Sequence, residues 1–318
     1  MVRTHHEIDV DIQPGYPVSW QAGICNGLLR GTMRPISSAL LRTTAGMRLA
    51  CRLSELGERV PGVRPAHVSI HPERSGPLNG EWVRGTPEPD ESKIVLYFHG
   101  GGYFFCSPAT HRPITWRLSE AAGCPLLAVD YRQGPVHGLG DSLADAIAAY
   151  RWLLDRGHDG QDILLAGDSA GGHLTLSTLL ALRDRDLPLP RAAICLSPWT
   201  DLSDERRRVN RWRDPMLPAG RVEWLARRWT DGLDCRAPLV SPVYGDYSGI
   251  PPLMIVVGST EVLRDEGRRV ALQAREAGVP VTYEEWRRMP HVFPILADLV
   301  PEARLVFRHI TRFLTAVM

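Results

Sequence analysis

Gly167-Asp168-Ser169-Ala170-Gly171 places a serine between two glycines with the spacing G-x-S-x-G. The preceding run, Ile163-Leu164-Leu165-Ala166, reads as a short buried strand, and His173 to Leu182 is apolar at helical spacing. A serine on a strand-to-helix turn presents its hydroxyl clear of the backbone. Glycines at 167 and 171 let the chain crowd there without side-chain clashes. Ser169 is therefore the candidate nucleophile, with an ordinary serine in a tight turn as the plain alternative. A serine hydroxyl needs a base to take its proton and an acid to orient that base. On this kind of turn, the acid and then the histidine follow the serine in the chain.

Three histidines follow it: His173, His291 and His309. His173 lies one helical turn after Ser169 and reads as structural, and His309 falls inside the last amphipathic run. His291 is in a loop, Met289-Pro290-His291-Val292-Phe293, beyond the last predicted strand, where it can reach back to the serine. For the acid, the predicted strand Leu253 to Val257 leads into Gly258-Ser259-Thr260-Glu261, with Asp265 four residues on. Glu261 is assigned as the orienting acid and Asp265 as the cap of the next helix; the reverse assignment is the alternative. His99-Gly100-Gly101-Gly102 directly follows a predicted strand, and its backbone N–H groups can approach a developing negative charge. The N–H of Ala170 would complete that group of donors. A phosphate-cradling loop is the competing reading, but Walker spacing and a following lysine are missing.

These residues need a scaffold, and the chain supplies an alternating one. From about residue 93, strand-like runs (94–98, 126–129, 163–166, 192–196, 253–257, 281–286) alternate with helix-like runs (111–122, 141–154, 173–182, 266–277, 302–314). Fully apolar strands in this alternation imply a mainly parallel sheet covered on both faces. His67 to Ile70 and Glu81 to Arg84 add antiparallel edge pairs. Two segments break the pattern: residues 1–55, and an insertion at about 202–245 with a helix-like run from Gly220 to Trp229. Both are expected over the carboxyl edge of the sheet, where ligands bind. Arg206, Arg207, Arg208, Arg211 and Arg213 read as a solvated lid surface rather than an anion site. Trp199, Trp212, Trp224 and Trp229 read as core rather than pocket wall.

The 318 residues are 44% hydrophobic, with 37 basic and 36 acidic side chains, enough for one large core and without the charge of a nucleic-acid surface. No stretch approaches the ~18 apolar residues of a membrane span, and residues 1–7 hold no apolar signal core. The six cysteines are scattered, with no C-x-x-C pair, which argues against zinc and against a disulfide framework. A cytoplasmic protein is the expectation, and a homodimer is compatible with the sequence.

With these residues in view, the chain resembles the hormone-sensitive-lipase group (family IV) of bacterial esterases, within the α/β-hydrolase fold. The likeness rests on His99-Gly100-Gly101-Gly102, Asp130-Tyr131-Arg132, Gly167 to Gly172, Leu196-Ser197-Pro198-Trp199-Thr200-Asp201-Leu202, Ser241-Pro242, and His291 with Phe293. It spans about residues 93–315. The resemblance implies a mostly parallel eight-stranded sheet with helices on both faces, a catalytic domain over 56–318, and a helical cap from residues 1–55 and the 202–245 insertion. It implies acylation of Ser169, an oxyanion hole of Gly101, Gly102 and Ala170, hydrolysis of short-chain acyl esters, and no metal or organic cofactor. Three departures stand out. Glu261 occupies a position where the family commonly has aspartate. Gln133 to Gly138 replaces the usual loop after Asp130-Tyr131-Arg132. Val292 follows His291 where glycine is usual. An amidase or deacylase using the same residues, or a binding-only receptor, are the alternatives.

Overall fold

The computed structural model describes residues 11–12, 17–58, 64–75, 78–203, 210 and 213–317. Its strands are β1 (Asp11–Ile12), β2 (Ser69–Glu73), β3 (Gly80–Arg84), β4 (Ile94–Phe98), β5 (Leu126–Val129), β6 (Ile163–Asp168), β7 (Ala192–Leu196), β8 (Leu253–Gly258) and β9 (Val281–Trp286). They form one sheet in the order β1-β9-β8-β7-β6-β4-β5-β3-β2. All pairs are parallel except β2–β3 and β3–β5. Eight strands carry the sheet as expected, and the two-residue β1 extends its β9 edge.

Alternate residues of the central strands feed two separate cores. Leu96 and Phe98 of β4, Leu165 of β6 and Ile255 of β8 pack on one face; Val95, Tyr97, Leu164 and Val256 pack on the other. This period-two partition, apolar on both sides, is why these strands read as continuous hydrophobic runs. The helices are α1 (Trp20–Gly31), α2 (Met33–Leu40), α3 (Thr44–Glu58), α4 (Arg112–Ala122), α5 (Leu139–Asp155), α6 (Ala170–Asp184), α7 (Ala219–Trp229), α8 (Arg264–Glu276) and α9 (Pro301–Val317). α5, α6 and α8 cover the first face, and α4 and α9 the second.

α1–α3 and α7 are the elements outside the β-α alternation. Glu302 on α9 ties the first down, accepting from the Ser19 N–H at 2.6 Å and from the Ser19 hydroxyl at 2.8 Å. The 55/56 boundary falls within α3, which ends at Glu58.

Candidate active site

Ser169 occupies the turn from β6 into α6 with φ 53° and ψ −116°, a backbone conformation that side chains rarely adopt. Surrounding backbone holds it there. The Ser169 N–H donates to Leu196 O at 2.9 Å, and the Ser169 carbonyl accepts from the N–H groups of His173 and Trp199, each at 3.0 Å. A Cβ on Gly171 would lie 1.9 Å from the Phe98 carbonyl oxygen, so this close approach of β4 and α6 requires glycine.

His291, in the loop after β9, brings the serine and the acid together. Its Nε2 is 2.8 Å from Ser169 Oγ, and its Nδ1 is 2.7 Å from Glu261 Oε2. Donation from Nδ1–H to the carboxylate leaves Nε2 as the acceptor for the serine proton. Glu261 is fully buried, and its Oε1 accepts from the Gly258 N–H and, at 3.0 Å, from the Ser197 hydroxyl. Ser197 Oγ also accepts the Val292 N–H at 3.0 Å, so one hydroxyl braces the acid and the histidine loop together. Burial is the largest influence and works against a charge on His291, but the hydrogen bond and charge of Glu261, with the charges of Asp214 and Asp168, together outweigh it and hold the imidazole above its ordinary value. Burial pushes the Glu261 carboxyl up, against the pull of His291.

Asp265 does not cap α8 as expected. The helix starts at Arg264, two residues earlier than expected, with Leu263 in the cap position and no side-chain cap bond. Asp265 is therefore inside the first turn and exposed, where its charge suits the helix dipole but its side chain cannot cap. Val292 takes φ 49° and ψ 39°, a left-handed conformation costly for a β-branched residue, where the family's usual glycine would be at ease.

The loop 99–102 leaves β4 toward the serine. Gly101 has φ 112°, and a Cβ on it would lie 1.9 Å from the Phe105 carbonyl oxygen. The Gly100 N–H donates to Asp168 Oδ1 at 2.9 Å. Among the described residues, no hydrogen bond is made by the N–H groups of Gly101 and Gly102, next in the chain. Ala170 opens α6, so its N–H has no carbonyl one turn earlier. Asp168 anchors the loop from below: it also accepts from the Tyr97 hydroxyl and pairs with His111 Nε2 at 3.2 Å. Burial opposes the Asp168 charge, yet His111 and Tyr97 hold its carboxyl below the usual range. His99, buried and facing His111, is held neutral, with its pKa lowered to about 3. From the insertion, Trp229 Nε1 donates to the Gly102 carbonyl at 2.8 Å.

A cavity of about 350 Å³ opens over Ser169 and His291. Phe104, Leu217, Leu225 and Leu263 wall it, and Met33 and Ile36 of α2 close its outer side. A larger groove of about 700 Å³, between the 135–140 loop and α7, contains none of the candidate site residues.

The other residues singled out from sequence fall as follows. His173 is structural: its Nε2–H donates to Val240 O at 2.9 Å, and its Nδ1 accepts from the Tyr103 hydroxyl at 2.6 Å. His309 pairs with Glu284 at 2.8 Å, away from the serine. Trp229 is buried and Trp224 half-buried, and both line the larger groove beside α7, while Trp199 is buried and also walls the cavity over Ser169. Arg206, Arg207, Arg208, Arg211 and Trp212 lie outside the described residues. Asp168 and Ser197 sit inside motifs already noticed, so their contributions were hidden in plain view. His111 carried no sequence signal.

The alpha/beta hydrolase fold family matches residues 95–295. An acetyl-hydrolase of Streptomyces hygroscopicus is 43% identical over 231 residues, covering 72% of this chain and 77% of that one. The putative acetyl-hydrolase LipR of Mycobacterium tuberculosis is 33% identical over 286 residues, covering 88% and 90%. Among solved structures, an esterase of the bacterial hormone-sensitive lipase family superposes with a TM-score of 0.85 at 35% identity, covering 95% of this chain and 99% of that one. EstE5, soaked with p-nitrophenyl butyrate, superposes at 0.84 with 32% identity, covering 93% and 98%. The chain belongs to the α/β-hydrolase family, in its hormone-sensitive-lipase branch, and is a hydrolase of ester bonds.

Proposed function

We propose that the chain is a serine esterase for short-chain acyl esters, working through Ser169, His291 and Glu261. The observation that carries this reading is the His291 imidazole within hydrogen-bond distance of both the serine hydroxyl and the buried carboxylate. His291 Nε2 takes the hydroxyl proton as Ser169 attacks the ester carbonyl. The oxyanion that forms is held by the N–H groups of Gly101, Gly102 and Ala170, each donor worth ~3 kcal/mol in the transition state. The imidazolium then protonates the leaving alcohol. Water, deprotonated by the same nitrogen, releases the acid and restores the serine. Glu261 keeps Nδ1 protonated throughout. α2, through Met33 and Ile36, and α7, through Val222 and Leu225, act as the cap that shapes the acyl and alcohol pockets.

Short acyl groups fit a cavity near the small end of ligand sites, which run about 300–1,000 Å³. Acetyl is also the group named for two relatives. Ser169→Ala should abolish hydrolysis of p-nitrophenyl acetate while the fold persists, and kcat/KM should fall from acetate to longer acyl chains. Unchanged turnover in the variant would refute the nucleophile, and an optimum on long-chain emulsions would refute the substrate class.

A further inference from the structure

One buried carboxylate beside the site has no part in the proton transfers above. Asp214 belongs to the 202–245 insertion and is completely buried. Its Oδ1 accepts from the N–H groups of Met216 and Leu217 at 2.7 and 2.8 Å, and its Oδ2 reaches across to the Val262 N–H at 2.8 Å. Val262 is the residue after Glu261. Four residues before Asp214, Asn210 does the complementary work, its Nδ2 donating to the carbonyls of Ser259 and Glu261 at 2.8 and 3.0 Å. The loop that carries the triad acid is thus fastened on three backbone groups by side chains of the cap insertion.

The same short segment is gripped from the other side. Arg30 of α1 donates to the Arg213 carbonyl, Arg34 of α2 to that of Asp214, and Ser37 Oγ to that of Met216 at 2.9 Å. Met216 and Leu217 also line the cavity over Ser169. Asn210 and residues 213–217 therefore join the cap helices, the substrate cavity and the acid loop.

We infer that Asp214 and Asn210 are positioning residues for Glu261, so that the cap and the triad acid are set in place as one unit. This rests on the reading of Glu261 as the triad acid. All three Asp214 bonds are accepted and none donated, which favours its carboxylate form against the upward push of burial. Its charge acts on His291 together with those of Glu261 and Asp168, and all three favour the imidazolium. Asp214 has two effects on the base, through the position of its partner and through the field at the ring.

Asp214→Asn separates these roles from mere space filling. The amide oxygen can still serve the 216–217 turn, but the NH2 meets the Val262 N–H donor to donor and the charge is gone. Asn210→Ala removes both bonds to the acid loop and leaves the charge. The test measures kcat and KM of the full chain for p-nitrophenyl acetate across the range in which histidine titrates. Rates are normalised to sites labelled by a fluorophosphonate, so that a loss of folded protein drops out. Asp265→Asn, exposed on α8, serves as the control at wild-type rate.

Both variants are expected to lose about 10-fold in kcat per labelled site, with KM changed less than about threefold. Only Asp214→Asn should also move the acidic limb of the rate profile to lower pH. Wild-type kcat and an unmoved limb in folded Asp214→Asn would overturn the inference. If Asp214→Asn yields no folded protein, Asn210→Ala decides, and wild-type kcat per labelled site there overturns it. A wild-type enzyme that turns over ester yet takes no label on Ser169 would refute the parent reading first, and this one with it.

Discussion

Replacing Glu261 by glutamine tests the acid assignment at a single atom. Oε1 faces two donors, the Gly258 N–H and the Ser197 hydroxyl, while Oε2 faces His291 Nδ1 alone. A glutamine is the same size and can point its amide oxygen only toward the pair of donors without leaving both unmatched. Its NH2 then meets Nδ1, which must become an acceptor. The proton moves to Nε2, the nitrogen that has to take the proton from Ser169, and the base is lost in its neutral form. The equivalent exchange in a Ser-His-Asp triad costs ~10⁴ in kcat. At ~1.36 kcal/mol per decade, this corresponds to about 5.5 kcal/mol of transition-state stabilisation. Steady-state hydrolysis of p-nitrophenyl acetate by Glu261→Gln and Asp265→Asn, read beside their melting curves, is the assay. The wild-type acidic limb should lie above 6.5, because Glu261 holds His291 above that ordinary value and the ring must be neutral to act. A loss confined to Asp265→Asn, or a Glu261→Gln enzyme within about tenfold of wild type, would refute the reasoning.

Two stability predictions follow from residues around the site. His173 and His99 are buried and neutral, with values lowered to about 4 and about 3 from 6.5. The unfolded chain takes up these protons below 6.5 and the folded chain does not, so their contribution is intact above that pH and is lost as the pH falls toward 4 and 3. His173→Gln should flatten the fall in urea-unfolding free energy between those limits by up to ~1.4 kcal/mol per pH unit, and an unchanged slope would contradict it. At Val292, glycine releases ~1–2 kcal/mol of left-handed strain while losing a buried side chain worth ~1.5–2 kcal/mol. Val292→Gly should therefore be less destabilised than Val292→Ala in thermal melts, and the opposite order would count against a strained loop.

How much of this was legible in the sequence depended on whether the signal was local. β7 and β9 match their predicted limits residue for residue, because both are bounded by turn residues. β6 and β8 run on to Asp168 and Gly258, since a carboxylate or a glycine at a strand end does not read as strand. α6 begins at Ala170, three residues before its apolar period starts, because the small residues that let the elbow crowd carry no periodicity. Chain order singles out Ser169, Glu261 and His291 as candidates, and the geometry brings those three side chains within hydrogen-bond distance. What supports them was out of reach. Asp168 meets His111 across 57 residues, Asp214 meets Val262 across 48, and Ser197 meets Val292 across 95. Such pairs follow from strand order rather than from any local pattern. Asp265 reads as a cap from sequence because the apolar period puts the helix start two residues late, whereas it lies within the first turn of α8.

The central claim is that His291 makes the Ser169 hydroxyl nucleophilic, and covalent trapping tests it most directly. Intact mass spectrometry after brief exposure to a fluorophosphonate should find one adduct per chain, mapped to the peptide bearing Ser169. His291→Ala should slow that labelling by at least about 10²-fold. Rapid labelling of the His291 variant, or an adduct on any other residue, would contradict the account.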